Sequence, residues 1–197
     1  IEPFACCIRG LNKISIKHGD NIAILGAGPT GVMHMLLAKM WGANNIVVSD
    51  INDFRLKFVE KYGITTVNLN RDNMDIAIKE ATDGIGADVT ILATGNIKAF
   101  ESSLMITRRG GKILLFGVPS VGSIFNMDLN SIYSNEQLIV PSYGASEIET
   151  NQALSLMSDK SVDLLPLVTH RFQIRESNDA FKCAHNAIDA MKVLIVT

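Results

Sequence analysis

Short apolar runs rich in β-branched residues alternate with stretches of helical periodicity for most of this chain, and that alternation leaves few folds open. The runs Ile22–Leu25, Ile46–Ser49, Val89–Ala93 and Ile113–Phe116 are nearly continuous in apolar character and too short for helices. They read as strands buried on both faces, which antiparallel sheets with one wet face do not need. A weaker strand near Thr66–Leu69 and a sixth at Leu138–Val140 complete the set. Between them, helical patterns run over Gly31–Met40, Phe54–Tyr62, Asp75–Thr82, Ile97–Ile106 and Ile148–Met157. Strand, helix and strand in succession build parallel βαβ units. The expected fold is therefore α/β, a doubly wound parallel sheet of six strands with helices on both faces.

Glycines punctuate this pattern where helices should stop. Trp41-Gly42 and Tyr62-Gly63 follow helical segments, and Thr107–Gly111 reads as another helix end marked by basic residues and glycine. Residues Gly117–Ser123 make a turn-rich break before the sixth strand. From about Leu167 the rhythm changes to a strand-like Val168–Ile174, a helix Glu176–Ala187 and an apolar Val193–Val196. This tail does not continue the alternation and is expected to pack on another domain.

Composition limits the partners. The 197 residues are 47% apolar and 19% charged, enough for a sizeable core, so a disordered chain is excluded. Lys and Arg number 18 against 20 Asp and Glu, a formal charge of −2 without the basic excess of a nucleic-acid or anionic-membrane binder. No apolar run reaches the roughly 18 to 20 residues that span a bilayer. Neither nucleic acid nor membrane is expected as a partner. The cysteines Cys6, Cys7 and Cys183 form no even framework and no C-x-x-C pair, which points to a reducing cytoplasm. The chain starts at Ile1 rather than Met and is expected to be a processed or excised piece.

At the end of the first strand, Gly26-Ala27-Gly28-Pro29-Thr30-Gly31 satisfies G-x-G-x-x-G and opens a helix. Gly26 permits a tight turn, Gly28 lets backbone approach a pyrophosphate, and Gly31 brings helix and strand together. The amides of Thr30 and Gly31 then face an anion that the helix dipole also favours. Pro29 occupies an early helical position where its missing N–H costs little. By itself such a loop is equally a plain strand-to-helix turn. The second strand, however, runs into Asp50, 19 residues beyond Gly31. That is close to the roughly 20 residues at which an acid meets the adenosine ribose. A carboxylate there accepts from both ribose hydroxyls and repels a 2′-phosphate, so Asp50 points to NAD rather than NADP. Ala93-Thr94-Gly95 and Gly117-Val118-Pro119 end two further strands at the sheet edge where ligands lie. Glycine at 95 and 117 is expected to admit a flat ring against the backbone.

With these residues placed, the chain resembles the cofactor-binding half of the medium-chain, zinc-type alcohol, polyol and threonine dehydrogenases. The segments that carry the resemblance are Glu2-Pro3 before a helix, Lys17–Gly31, Ser49–Gly63 with Asp50 and Arg55, Ala87–Gly95, Gly110–Gly117 and Thr169-His170-Arg171-Phe172 onward. The resemblance implies a Rossmann NAD-binding domain at 21–166, preceded at 1–20 by a helical lead-in from a GroES-like catalytic domain. It implies a tail at 167–197 that returns to that domain. It places Arg55 beside the adenine or its ribose, although read alone Arg55 is a solvated helix residue. It brings Thr94, Val118 and the Ser142-Tyr143-Gly144 turn towards the nicotinamide. Glu2 matches a glutamate that reaches the catalytic zinc, while the other zinc ligands of the family lie in the upstream barrel. No catalytic residue is expected within this chain, and the chain alone is expected to be inactive.

The activity implied is reversible hydride transfer between a secondary alcohol and NAD, in a homodimer or homotetramer paired along Leu138–Val140. Polyol dehydrogenases often carry arginine where Ser142 stands, so the substrate stays open. Two other readings compete. S-adenosylmethionine methyltransferases share the loop and the acid, but usually have an acidic residue where Leu25 precedes the first glycine. A non-enzymatic NAD-sensing module would need only the adenosine half. His18, His34, His170 and His185 lack metal-ligand spacing and read as ordinary structural histidines.

Overall fold

The computed structural model describes residues 1–197. Six strands, β1 (Ile22–Leu25), β2 (Ile46–Asp50), β3 (Thr65–Asn68), β4 (Ala87–Leu92), β5 (Thr107–Leu115) and β6 (Leu138–Pro141), form one sheet in the order β3-β2-β1-β4-β5-β6. Every pairing is parallel, with Ile22 opposite both Ile46 and Val89 at the centre and Lys112 opposite Leu138 at the edge. The chain turns back between β3 and β4, so the sheet has its switch point at β1 and β4, where the carboxyl ends open a crevice.

Parallel strands need crossovers, and helices supply them: α2 (Pro29–Met40), α3 (Asp53–Glu60), α4 (Met74–Ala81), α5 (Ile97–Ile106) and α6 (Leu129–Asn135). Side chains on successive strand residues point to opposite faces, and the core divides accordingly. Ile22, Ile24, Val48, Ile91 and Leu114 pack with α1 (Glu2–Ile14), α2, α3 and α7 (Glu147–Ser158) on one face. Ala23, Leu25, Val47, Leu92 and Ile113 pack with α4 and α5 on the other. Burial on both faces explains why the central strands read as unbroken apolar runs.

The lead-in helix α1 is integral to this core, with Phe4, Ile8 and Leu11 fully buried. Lys112 Nζ donates to the carbonyls of Ile14 (2.7 Å) and Ser15 (3.2 Å), satisfying acceptors that a helix end leaves open. Arg9 pairs with Glu149 at 3.4 Å, and Glu149 also accepts from the Ser146 amide at 2.8 Å in the capping box of α7.

Two features go beyond the expectations. The helix does end where Thr107–Gly111 marks its stop, with α5 closing at Ile106 and capped at Thr107, but the same residues are also the bulged start of β5, where Ala87 faces Thr107 but Val89 already faces Lys112. Gly110 at φ 66° takes up the extra residues, and Gln137 Nε2 donates to the carbonyls of Leu104 (3.0 Å) and Thr107 (2.8 Å). Secondly, the break that begins at Gly117 extends to Asp128 and gives way to α6, a two-turn helix with no buried residue. Without a buried face, that helix leaves no hydrophobic period in the sequence.

The last residues form a separate parallel pair, β7 (Val168–Gln173) and β8 (Lys192–Val196), joined by α8 (Ser177–Asn186). Leu167 and Met191, flanking that pair, sit in the main core. No helix is long and apolar enough to cross a membrane.

Candidate functional site

The glycine loop lies at the carboxyl end of β1, and its three glycines are needed for different reasons. Gly26 sits at φ 109°, a backbone region that side chains disfavour. Gly31 is required by packing, since a Cβ there would lie 1.9 Å from the Gly26 carbonyl oxygen. Gly28 is different. Its backbone is extended (φ −67°, ψ 179°), and an added Cβ would meet only Arg55 Nη1, at 3.9 Å. The fold itself therefore does not demand glycine at 28; the space above it is free for something to approach.

Pro29 opens α2, and no side chain caps that helix. The amides of Thr30 and Gly31 donate to no acceptor of the protein, and the first turn carries no acid. Free N–H groups and the positive end of the helix dipole meet at one point, which suits a phosphate.

Asp50 closes the other side. Its carboxylate is buried and held by three backbone donors: Ala27 N on Oδ2 at 2.8 Å, and Ile51 N and Asn52 N on Oδ1 at 2.7 and 3.0 Å. The acid thus holds the glycine loop directly. Arg55, one turn into α3, brings Nη1 to 3.7 Å from Oδ2. A carboxylate offers about four lone-pair positions, and the three backbone donors leave about one of them for a ligand's hydroxyl.

Gly26, Gly28, Asp50, Arg55 and Thr94 share one groove of about 510 Å³ with Asn96 and Lys98. The sequence reading missed Asn96, Lys98 and the exposed apolar pair Ile51 and Leu69 that flank the acid. Asn96 had a signal, because it caps α5 by accepting from the Lys98 amide at 2.9 Å, repeating the strand-turn-helix form of the first loop. Ile51 and Leu69 had none; two isolated apolar residues outside a period look like any surface.

Gly95 and Gly117 border a second, smaller hollow of about 160 Å³ lined by Phe100, Pro119 and Phe125. Their glycine character has another origin than the one expected. A Cβ on Gly95 would stand 2.1 Å from Val118 O, and one on Gly117 would stand 2.2 Å from Thr94 C. The two turns press on each other, and that mutual contact occupies the space expected to admit a ring. Val118 and Tyr143 are exposed, and Ser142 is buried with its Oγ unpartnered; none of the three lines either hollow.

Glu2 lies exposed at the start of α1, accepting from Cys6 Sγ at 3.1 Å. Desolvation, followed by the bond and charge of Glu2, pushes the Cys6 thiol up to about 11. No group of three or more His, Cys, Asp or Glu side chains could hold a metal ion, so the residues present do not by themselves fit a zinc centre.

Behind the glycine loop, His34 is fully buried, with Nδ1 2.8 Å from Thr30 O and the Phe116 ring edge-on at 4.5 Å. Burial pulls its pKa down to about 4, opposed by the bond to Thr30. The folded value lies below the ordinary 6.5, so the unfolded chain binds the extra proton. The associated stability is present above pH 6.5 and is lost as pH falls from there towards 4, by roughly 2 to 3 kcal/mol. Denaturant midpoints at pH 7.5 and 4.5 should therefore differ less in His34→Leu than in the wild type; equal differences would contradict the assignment.

Residues 29–159 match the family of zinc-binding dehydrogenases. An L-threonine 3-dehydrogenase of Marinomonas sp. (strain MWYL1) is 34% identical over 177 residues, covering 89% of this chain and 51% of that protein. An alcohol dehydrogenase structure from Thermotoga maritima superposes with a TM-score of 0.91 at 26% identity, over 98% of this chain and 55% of that one. L-idonate 5-dehydrogenase from Escherichia coli gives 0.88 at 25% identity, over 100% and 55%. The chain spans about half the length of the curated relatives it matches.

Proposed function

The chain belongs to the zinc-binding dehydrogenase family, and from that premise we propose that it is the NAD-binding domain of a medium-chain dehydrogenase that interconverts a secondary alcohol and a ketone. The observation that carries the reading is the free space over Gly28, set between uncapped helix amides and a buried carboxylate. A dinucleotide has the matching parts in the matching order. Its pyrophosphate takes the amides of Thr30 and Gly31, and the adenosine ribose diol takes Asp50. Arg55, Ile51, Leu69 and Thr94 border the adenine, with Asn96 and Lys98 on the far wall. Bound NAD supplies the hydride acceptor.

The chain's own residues bind and aim the cofactor. Thr94, Gly95, Gly117, Val118, Ser142 and Tyr143 form the turns towards which the nicotinamide points. In this reading the domain's sheet and crossovers occupy 21–166, the lead-in 1–20 packs into their core through α1, and 167–197 is the returning tail. Zinc would be held mainly by residues outside this chain, with Glu2 the one residue here that would contribute to holding it. L-threonine, polyols and simple secondary alcohols are the substrate classes that the relatives suggest. The free edge of β6 suits pairing with a second copy, and three free thiols suit a reducing cytoplasm.

Neither competing reading gains support. Leu25 before the first glycine is buried apolar core and cannot serve as the acid of a methyltransferase. The family match favours an enzyme over a sensor.

Titration of the whole protein with NADH and NADPH tests the reading. NADH should bind at least about tenfold more tightly, a difference of about 1.4 kcal/mol, and NAD should support oxidation of a secondary alcohol. Failure of a folded protein to bind either nucleotide would overturn the proposal.

A further inference from the structure

The tail built from β7, α8 and β8 meets the rest of the molecule through apolar contact around Leu167 and Met191. Apolar contact holds two bodies together but is non-directional, so it leaves their relative orientation loosely specified. Directional contacts are scarce. Hydrogen bonds of the tail run within it: Thr169 Oγ1 accepts from Met191 N, Gln173 N donates to Glu176, and Ala187 N donates to Cys183 O. Its one ion pair, Lys182 with Asp179, is also internal. A single side chain bonds across. Asn52 Nδ2 donates to Ala187 O at 3.1 Å and to Ile188 O at 3.0 Å, where the backbone leaves α8 with Ala187 at φ 47°.

The same residue is tied to the groove three times over. Its amide donates to Asp50 Oδ1 at 3.0 Å. Its Oδ1 accepts from the amides of Phe54 and Arg55, at 2.9 and 3.3 Å, capping the helix that carries Arg55. Asn52 is itself half-buried. Its acceptor end therefore serves the groove wall and its donor end serves the tail, with no atom shared between the two tasks. Aspartate or serine could cap α3 equally well. Only an amide does both.

We propose that Asn52 is a positioning residue that joins the nucleotide groove to the tail, so that a nucleotide whose ribose diol is held at Asp50 also fixes where α8 and the β7–β8 pair sit. The inference rests on the cofactor reading above. Anchoring Asp50 restrains the 50–52 turn, and the restrained turn presents Nδ2 to the two carbonyls of the tail. Linkage makes the effect reciprocal: a tail held in place pre-forms the turn and raises nucleotide affinity.

Hydrogen exchange followed by mass spectrometry, with NAD as the probe and the whole protein as the sample, separates the outcomes. In the wild type, saturating NAD should slow exchange across 183–191 by about tenfold. Asn52→Ser keeps a capping oxygen but has no Nδ2, so NAD should still slow exchange around the glycine loop while 183–191 changes by less than about twofold. Without ligand, Asn52→Ser should already exchange about fivefold faster over 183–191, the equivalent of roughly one net hydrogen bond. Equal NAD-dependent protection of 183–191 in both proteins would overturn the coupling and leave the cofactor reading intact. NAD binding to the wild type with no protection of 183–191 would do the same. Absence of NAD binding to the folded wild type would overturn both.

Discussion

Valine at position 28 is expected to abolish measurable NAD binding, a loss of at least about a hundredfold or 2.7 kcal/mol, in a protein that still folds. The reason is that nothing in the chain occupies the space the side chain would fill. Gly28 has an extended backbone that any residue adopts, and the nearest atom to an added Cβ is the mobile end of Arg55, 3.9 Å away. Alanine at 28 should cost no more than about 1 kcal/mol, the small preference of an N-cap for glycine over alanine, since no capping side-chain bond is lost. Gly31 provides the control. Its Cβ would lie 1.9 Å from the Gly26 carbonyl, so Gly31→Ala must move backbone and should cost about 3 kcal/mol of stability. Thermal melting beside calorimetric NAD titration separates the two. If Gly28→Ala and Gly31→Ala lose stability equally, the distinction between a ligand glycine and a packing glycine is wrong.

Asp50→Ala should combine both kinds of loss. Three backbone amides, of Ala27, Ile51 and Asn52, end on this carboxylate, and its removal leaves them without their acceptor. A buried donor left unsatisfied costs about 1 to 3 kcal/mol. Ile51 is exposed and its amide regains water, so the net destabilisation should be about 2 to 4 kcal/mol rather than three full penalties. NAD affinity should fall at least about a hundredfold, because ribose hydroxyls lose a charged acceptor and the Ala27 turn loses its anchor. NADP, whose 2′-phosphate the carboxylate repels, should lose far less, so the preference between the two should narrow at least about tenfold. Binding curves for both nucleotides on the variant, at a temperature where it remains folded, check this. An unchanged ratio would mean that Asp50 is a structural anchor only.

Asp50 shows what the sequence could and could not convey. The distance from Gly31 to Asp50 singles the acid out in the sequence, and the structure sets it at the edge of the same groove as the glycine loop. The bond from Ala27 N to Asp50 is invisible in spacing, because it depends on how β1 and β2 lie side by side. The sheet was legible for a related reason: strands buried on both faces must be apolar throughout, and the runs that start at Ile22, Ile46, Val89 and Ile113 each coincide with an observed strand to within one residue at the carboxyl end. The bulge at the start of β5 was not legible, since glycine beside arginine suits a helix end and a bulge alike. Nor was α6, which buries nothing and so leaves no periodic trace. At the second hollow the residues at 95 and 117 were found but their cause was not, because turn-on-turn packing between Thr94 and Gly117 is a tertiary fact. Asn52 had the opposite fate. As a helix cap it is ordinary, and only the position of Ala187 and Ile188 makes it a bridge.

The central claim is that one groove, from the amides of α2 to the carboxylate of Asp50, holds NAD. A crystal structure of the protein with NAD tests it most directly. The account predicts the pyrophosphate over Gly28 within hydrogen-bond distance of Thr30 N and Gly31 N, the adenosine ribose hydrogen-bonded to Asp50, and the adenine bordered by Ile51 and Thr94. A dinucleotide seated elsewhere, or seated here with its ribose turned away from Asp50, would contradict it.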